Sequence, residues 1–307
     1  MGLRYAVIGS GALGGYYGGR LAQAEKEVHF LFHNDYNFVK ENGLTVDSVK
    51  GNFSIKNVNA YRDTREMPAC DVVLVCLKTN NNYLLKSILP PLLHKDTLVV
   101  LIQNGLGLEQ DLAADFPGLS IAGGMAFICS SKIGDGHIGH FDYGDLKIGL
   151  YKRQQSAILE QVIHDLNEAN VPTEYSPDLN TARWQKLVWN IPYNGMTVVL
   201  DTTTESLMKD PDSRRMIWDL MIEVIEAASY CDAHIGEDFA HKMVHLTDNM
   251  TPYAPSMKLD FESKRKMEIE AIYTRPIQIA KDAGYAMKRV GIIEKQLRFI
   301  QNKYIGL

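Results

Sequence analysis

The chain has 307 residues, 32 of them basic and 37 acidic, giving a formal net charge of −5. With 46% hydrophobic and 22% charged residues it reads as a globular protein, and the mild negative charge gives no electrostatic case for nucleic acid or an anionic membrane as partner. At roughly 150 residues per domain the length predicts one or two domains. In chain order, Arg4–Gly9 is a short apolar strand and Ala12–Ala24 a helix rich in small residues. Val28–Phe32 is a second strand, Leu44–Val58 is hairpin-like, and Asp71–Leu77 is a third core strand. Tyr83–Leu93 predicts a helix, and Thr97–Gln103 another buried strand. Ile121–Leu150 is punctuated by glycine and predicts short strands, among them His137–Asp142 and Leu146–Leu150. Asn170–Asp178, with Pro172 and Pro177, is the expected linker. From about Asn180 the periodicity is helical, with helices over Asp212–Ala228, Phe239–Leu246 and Phe261–Ala283.

Strands and helices alternating at this period predict an α/β Rossmann-type N-terminal domain, a parallel sheet with an antiparallel extension, over residues 1–177. An all-α C-terminal domain follows over 178–307. The longest apolar runs, Val72–Leu77 and Leu98–Ile102, are far below the roughly 20 residues that span a bilayer. No charged-then-apolar leader is visible, so the expectation is a cytoplasmic protein without a membrane partner. Cys70, Cys76, Cys129 and Cys231 form neither a C-x-x-C pair nor a disulfide framework. His241/His245 and His137/His140 lack acidic or thiol partners at ligand spacing, and no metal is expected. The apolar face around Met216–Val224 serves either the core or a homodimer contact.

Gly9-Ser10-Gly11-Ala12-Leu13-Gly14 is a G-x-G-x-x-G directly after a strand and at the start of a helix. The first glycine permits the tight turn, the second lets a pyrophosphate approach the backbone, and the third lets helix and strand pack closely. Free N–H groups and the positive end of the helix dipole then hold phosphate. The second strand ends at His33-Asn34-Asp35, where an acid would hold the ribose 2′-hydroxyl of NAD and a cation the 2′-phosphate of NADP. His33 is a pH-dependent cation and Asp35 stands within reach of a ribose, which puts NADP ahead of NAD and leaves NAD open.

Further along, Lys186, Asn190 and Asn194 recur at i, i+4 and i+8 among Trp184, Leu187, Val188 and Ile191. A helix stacks them in one stripe, which faces either a dry recess or water. In a dry recess a lysine has a lowered pKa and acts as a general acid. Pro192 is expected to kink or end this helix.

The glycine loop, Lys78 after the third core strand, Gln103-Asn104-Gly105, Trp184-x-Lys186-x-x-x-Asn190-x-x-x-Asn194 and a late Ser256…Glu268 pair occur in this order. In this the chain resembles the ketopantoate reductase (2-dehydropantoate 2-reductase) family along essentially its whole length. The resemblance implies Lys186 as proton donor, and Asn190, Asn194 and Ser256 as substrate-binding residues. It places Asn104 between nicotinamide and substrate. Gly9, Ser10, Gly11, Ala12, Leu13, Gly14, His33, Lys78, Asn104, Cys129 and Glu268 become cofactor-binding. It further implies NADPH-dependent reduction of 2-dehydropantoate to pantoate, a step of pantothenate biosynthesis. Without it, Ser256 reads as a helix cap and Glu268 as part of a solvated charge run with Lys264, Arg265 and Lys266. Three positions depart from the family pattern: His33 replaces an arginine, Asp201–Thr204 replaces an Asn-Gly segment, and Tyr253 replaces a polar residue. A reductase of another 2-oxo acid, or a non-catalytic NADP-binding protein, are the alternatives.

Overall fold

Val72–Val75 and Leu98–Ile102 are buried along their whole length and form the centre of a ten-stranded sheet. Strands covered on both faces need this continuous β-branched and leucine content. The computed structural model describes residues 2–151 and 156–306. In chain order it runs β1 (Arg4–Ile8), α1 (Ala12–Gln23), β2 (Glu27–Leu31), α2 (Tyr36–Asn42), β3 (Leu44–Ser48), β4 (Phe53–Ile55) and β5 (Asn59–Tyr61). There follow β6 (Val72–Val75), α3 (Leu85–Ile88), β7 (Leu98–Ile102), α4 (Leu108–Asp115), β8 (Ser120–Gly134), β9 (His137–Leu150), α5 (Ser156–Glu168) and β10 (Thr173–Tyr175).

The strands β5-β2-β1-β6-β7-β8 are parallel throughout, so the order reverses between β1 and β6. Such a reversal is where an open α/β sheet binds ligands, at the carboxyl ends of its strands. β9 adds antiparallel to β8, and the β3–β4 hairpin and β10 complete the sheet beside β9. The short strands expected at His137–Asp142 and Leu146–Leu150 are one strand, β9, bulged where Tyr143 and Gly144 both have positive φ. The expected linker Asn170–Asp178 contains β10, whose Thr173 is gripped on both sides by the Asn167 side chain. The helix expected over Tyr83–Leu93 is three short turns instead, because Pro90 and Pro91 remove backbone donors.

The rest of the chain is helical: α6 (Leu179–Val199), α7 (Thr204–Lys209), α8 (Pro211–Tyr230), α9 (Glu237–Asn249), α10 (Ser256–Glu262), a π-helical turn (Glu270–Thr274), α11 (Arg275–Asp282) and α12 (Lys288–Ile305). α8 starts where its sequence says it should: the Asp210 carboxylate caps the Ser213 N–H at 2.7 Å and Pro211 occupies the first turn. Its Ile217, Leu220, Met221 and Val224 join Trp184, Leu187, Val188 and Ile191 of α6 in one core. Those four positions of the Met216–Val224 face are therefore core, whereas Met216 is exposed. Each such side chain contributes roughly 1.5–3 kcal/mol by burial.

Pro192 does not end α6, which runs on to Val199. Packing outweighs the lost donor: Ile191, Tyr193 and Met196 are fully buried, and the Tyr273 hydroxyl donates to the Ile191 carbonyl at 2.7 Å. The single helix expected over Phe261–Ala283 is broken. α10 ends at Glu262, Lys264 takes a left-handed φ of 55°, and the chain re-enters a helix through the π turn ahead of Pro276. A proline donates no hydrogen bond, which favours a wider turn before it. Among the described residues no helix is long and apolar enough to cross a membrane.

The chain divides into two compact units, Met1–Gln103 with Leu108–Leu179, and Asn104–Gly107 with Asn180–Leu307. Asn104–Gly107 thus packs with the helical unit although the chain on either side belongs to the sheet unit.

Candidate active site

In the sheet unit, β1 delivers the glycine loop to the strand-order reversal. Gly9 has φ 90°, and a Cβ there would stand 2.7 Å from the Leu77 nitrogen after β6. A Cβ on Gly14 would stand 2.4 Å from the Gly9 carbonyl oxygen. These two glycines are required by the fold itself. Gly11 differs, because a Cβ on it would meet nothing within 4 Å. The space in front of Gly11 is open, as a site for an approaching phosphate needs to be. Gly11 also caps α1 without a side-chain bond, and the first turn, which holds Ala12 and Leu13, contains no acid. The start of the helix is therefore compatible with an external anion. The Ser10 hydroxyl donates to the Leu31 carbonyl at 3.0 Å, tying the loop to the end of β2. Behind it, desolvation pushes the half-buried Cys76 thiol up to about 12, so it stays protonated.

At the end of β2, His33 is exposed but Asp35 is not. The Asp35 carboxylate is bound by the Lys132 ammonium and accepts the Gly136 N–H at 3.1 Å, both from the β8–β9 hairpin. Burial works against the Lys132 charge, yet Asp35 and Asp135 outweigh it and hold the ammonium above its ordinary value. Asp35, which the sequence places within reach of a ribose, is thus already committed.

Lys78 is exposed and follows β6. After β7, the Gln103 amide donates to the Leu77 carbonyl at 2.7 Å and pairs in both directions with Asn82. This brace lies inside the Gln-Asn-Gly motif, but no spacing rule links Gln103 to Asn82. Cys129 is buried on the part of β8 that runs past Gly124, where pairing with β7 ends. The loop, His33, Lys78 and Cys129 therefore all lie toward the carboxyl edge of the parallel strands.

In the helical unit, α6 carries Lys186, Asn190 and Asn194. Lys186 is half-buried, with its Nζ 5.9 Å from the centre of the Trp189 ring. Asn190 and Asn194 are 3% and 1% exposed, which decides against a water-facing stripe. Buried amides need partners. Asn190 Nδ2 donates to Asn104 Oδ1 at 3.2 Å, and Asn194 Oδ1 accepts the Met257 N–H at 3.0 Å. The second bond fixes the Asn194 amide with its NH2 as a donor and places Ser256, at the start of α10, beside it. Asn104 is held from below: Leu106 N–H donates to the Ala271 carbonyl at 3.1 Å, and Arg275 to the Gly107 carbonyl at 3.1 Å. Gly105, φ 109°, sits so close that a Cβ would meet the Ala271 oxygen at 2.4 Å.

Ser256 is no cap, since α10 starts at it without a side-chain bond. Glu268 is no solvated charge either, at 4% exposure immediately before the π turn. Asp201, also at positive φ, is ion-paired to the buried Lys258 of α10. The structure therefore gathers Asn104, Asn190, Asn194 and the Ser256 turn by direct bonds, with Lys186 one helical turn from Asn190.

The histidine pairs have structural partners. His137 meets Asp47 at 2.8 Å, His140 meets Ser48 at 2.8 Å, and His241 packs on Trp218 with ring centres 4.5 Å apart. Among the described residues His164, Asp165 and Glu168 have ligand-type atoms within 4.8 Å of one another. The Lys26 ammonium already sits there, 2.8 Å from Asp165 and 2.7 Å from Glu168, so the group is an ion-pair cluster.

Comparison with known proteins bears on both units. The family profile described as ketopantoate reductase PanE/ApbA matches residues 5–153, and its C-terminal counterpart matches 178–301. A curated 2-dehydropantoate 2-reductase from Nostoc sp. (strain PCC 7120) is 42% identical over 305 residues, 98% of this chain and 96% of that protein. The crystal structure of 2-dehydropantoate 2-reductase from Geobacter metallireducens superposes with a TM-score of 0.93 at 36% identity, covering 97% of this chain and 99% of that one. D-mandelate dehydrogenase, solved with NADH and anilino(oxo)acetate, shares the fold with a TM-score of 0.89 at 20% identity, covering 99% and 100%. With both parts matched by the family's profiles and a relative this similar along nearly its whole length, the chain belongs to the ketopantoate reductase PanE/ApbA family.

Proposed function

We propose that this chain catalyses the reduction of 2-dehydropantoate (ketopantoate) to pantoate with NADPH. The carrying observation is the amide cluster: buried Asn190 bonded to half-buried Asn104, and buried Asn194 bonded to the turn that bears Ser256, on the helix that also bears Lys186. A dinucleotide fits the sheet unit, where Gly11 faces open space and the start of α1 lacks a side-chain cap. When bound, NADPH supplies the hydride that is added to the C2 carbonyl carbon.

The residues do the remainder. Backbone N–H groups of Gly9–Gly14 hold the pyrophosphate against the α1 dipole. On the family resemblance, Lys78, Glu268 and the Cys129 backbone would contact the cofactor, and His33 would lie at its ribose. The NH2 groups of Asn190 and Asn194 donate to substrate oxygens without adding charge, Ser256 Oγ donates to the carboxylate, and Asn104 keeps nicotinamide and substrate in register. Lys186 Nζ stabilises the negative charge that develops on the carbonyl oxygen, then gives it a proton, so ketone and hydride become a secondary alcohol.

Following NADPH and NADH oxidation at 340 nm with ketopantoate tests the reading. Turnover with NADPH supports it, and turnover with NADH alone removes the cofactor preference. Cofactor binding without turnover overturns the ketopantoate assignment. The Asp201–Lys258 pair, standing where the family pattern has an Asn-Gly segment, favours a second substrate reading, so other 2-oxo acids belong in the same assay.

A further inference from the structure

We propose that Arg62, delivered by β5, is the residue that receives the 2′-phosphate of the dinucleotide and so selects NADPH over NADH. This rests on the reading of the glycine loop as a dinucleotide site. β2 and β5 are parallel neighbours with Leu31 opposite Tyr61, and the Phe32 N–H donates to the Tyr61 carbonyl at 2.9 Å. The register therefore brings Arg62 level with Phe32, one residue before His33, where both strands leave the sheet at its carboxyl edge. That edge is where an open α/β sheet receives its ligand, and the end of β2 is where the adenosine ribose is read.

The Arg62 guanidinium lies over the Tyr36 ring, 5.0 Å from its centre. Tyr36 opens α2 and directly follows His33-Asn34-Asp35. The cation is thus parked over the turn that must meet the ribose. Stacking on an aromatic face orients a guanidinium while leaving its in-plane N–H groups free to fork onto phosphate oxygens.

The acids that could quench it are taken. Asp63, the next residue in sequence, is bound by the Arg65 guanidinium and backbone, and Asp35 is bound by Lys132 and the Gly136 N–H. Among the described residues Arg62 forms no ion pair, and it is exposed. The capture of Asp35 has a second consequence, because a carboxylate so held repels a 2′-phosphate less and has fewer lone pairs to offer the 2′-hydroxyl of NADH. His33 is a poor substitute, since an imidazole has no planar fork of N–H donors to match phosphate oxygens.

The test measures dissociation constants by titration calorimetry on the full chain, for NADPH, NADH, 2′,5′-ADP and 5′-AMP, with wild type, Arg62→Gln, Arg62→Lys and His33→Gln. Arg62→Gln is expected to weaken NADPH and 2′,5′-ADP about 10- to 100-fold, the scale of a charged hydrogen-bonded contact, and to leave NADH and 5′-AMP within about twofold. Arg62→Lys is expected to fall between, and His33→Gln to change the ratio less than Arg62→Gln. The salt dependence of NADPH binding is expected to flatten in Arg62→Gln. An unchanged NADPH/NADH ratio in Arg62→Gln, or equal weakening of all four ligands, overturns the assignment while leaving the dinucleotide reading in place. A wild type that binds none of the four overturns both.

Discussion

The sheet unit and the helical unit each build a candidate site, and from different materials. In the sheet unit the loop is made of backbone: N–H groups, a helix end and missing Cβ atoms, with Gly9 and Gly14 pressed against neighbouring main chain. In the helical unit the site is made of side chains, two carboxamides steered by bonds to other segments and an ammonium near the Trp189 ring. A backbone-made site can be altered only where a Cβ reaches it, whereas a side-chain-made site can be dismantled residue by residue.

The largest expected effect is therefore in the helical unit. Lys186→Ala is expected to cut turnover by roughly two or more orders of magnitude, the usual scale for a positioned general acid, with NADPH affinity nearly unchanged. Steady-state assay at 340 nm together with calorimetry reads both quantities, and a parallel loss of cofactor affinity breaks the division of labour between the units. Asn190→Ala comes next. It strips the half-buried Asn104 carboxamide of its partner, and kcat/KM is expected to fall about tenfold, the scale of a lost hydrogen bond to a partly desolvated polar group. Unaltered kinetics would show that the Asn104–Asn190 bond has no part in the reaction.

Alanine scanning of the loop sharpens the other side of the comparison. Gly9→Ala and Gly14→Ala are expected to lower stability by about 1–3 kcal/mol, through positive φ at the first and a main-chain collision at the second. Gly11→Ala meets open space, so its melting temperature is expected to match wild type while NADPH binding weakens about tenfold through loss of backbone contacts. Thermal unfolding without nucleotide, followed by nucleotide titration, separates the two classes. A destabilised Gly11→Ala, or one that binds normally, contradicts the idea that the space at Gly11 is kept for a ligand.

The same contrast explains what the sequence makes legible. The parallel strands announce themselves through continuous apolar runs, and the loop through glycines whose spacing is a local steric requirement. The stripe of Lys186, Asn190 and Asn194 follows from helical periodicity. What escapes is contact between distant segments. Asn104 and Asn190 are 86 positions apart, and Lys132 captures Asp35 across 97. No local pattern encodes either bond, so the burial of Glu268 and the commitment of Asp35 are invisible before folding. Some misread elements did carry a signal: Pro90-Pro91 marks the broken turns, and Pro276 marks the π turn before α11. β10 hides in the linker because three residues between prolines are too few to show alternation.

The smallest expected effect concerns pH, and it too divides the units. His140 of the sheet unit is 1% exposed, and burial lowers its pKa below the ordinary histidine value, opposed by the carbonyls of Tyr143 and Asp142 and reinforced by Lys50 and Arg20. The folded protein thus keeps this imidazole neutral at a pH where the unfolded chain, titrating near 6.5, already binds a proton. The stability contributed by the neutral ring is complete above about pH 6.5 and is lost as pH falls toward the folded value, at no more than about 1.4 kcal/mol per pH unit. In the helical unit His234, His241 and His245 are all exposed, so none is a buried imidazole like His140. His140→Gln itself costs stability by disturbing the bond to Ser48, so the informative quantity is the slope. Between pH 7.5 and pH 5.5 the melting temperature of wild type is expected to fall further than that of His140→Gln. Equal slopes would mean that acid weakens the fold through its carboxylates, among them Asp165, whose pKa is held down by Lys26, Tyr5 and Gln161 against the cost of burial.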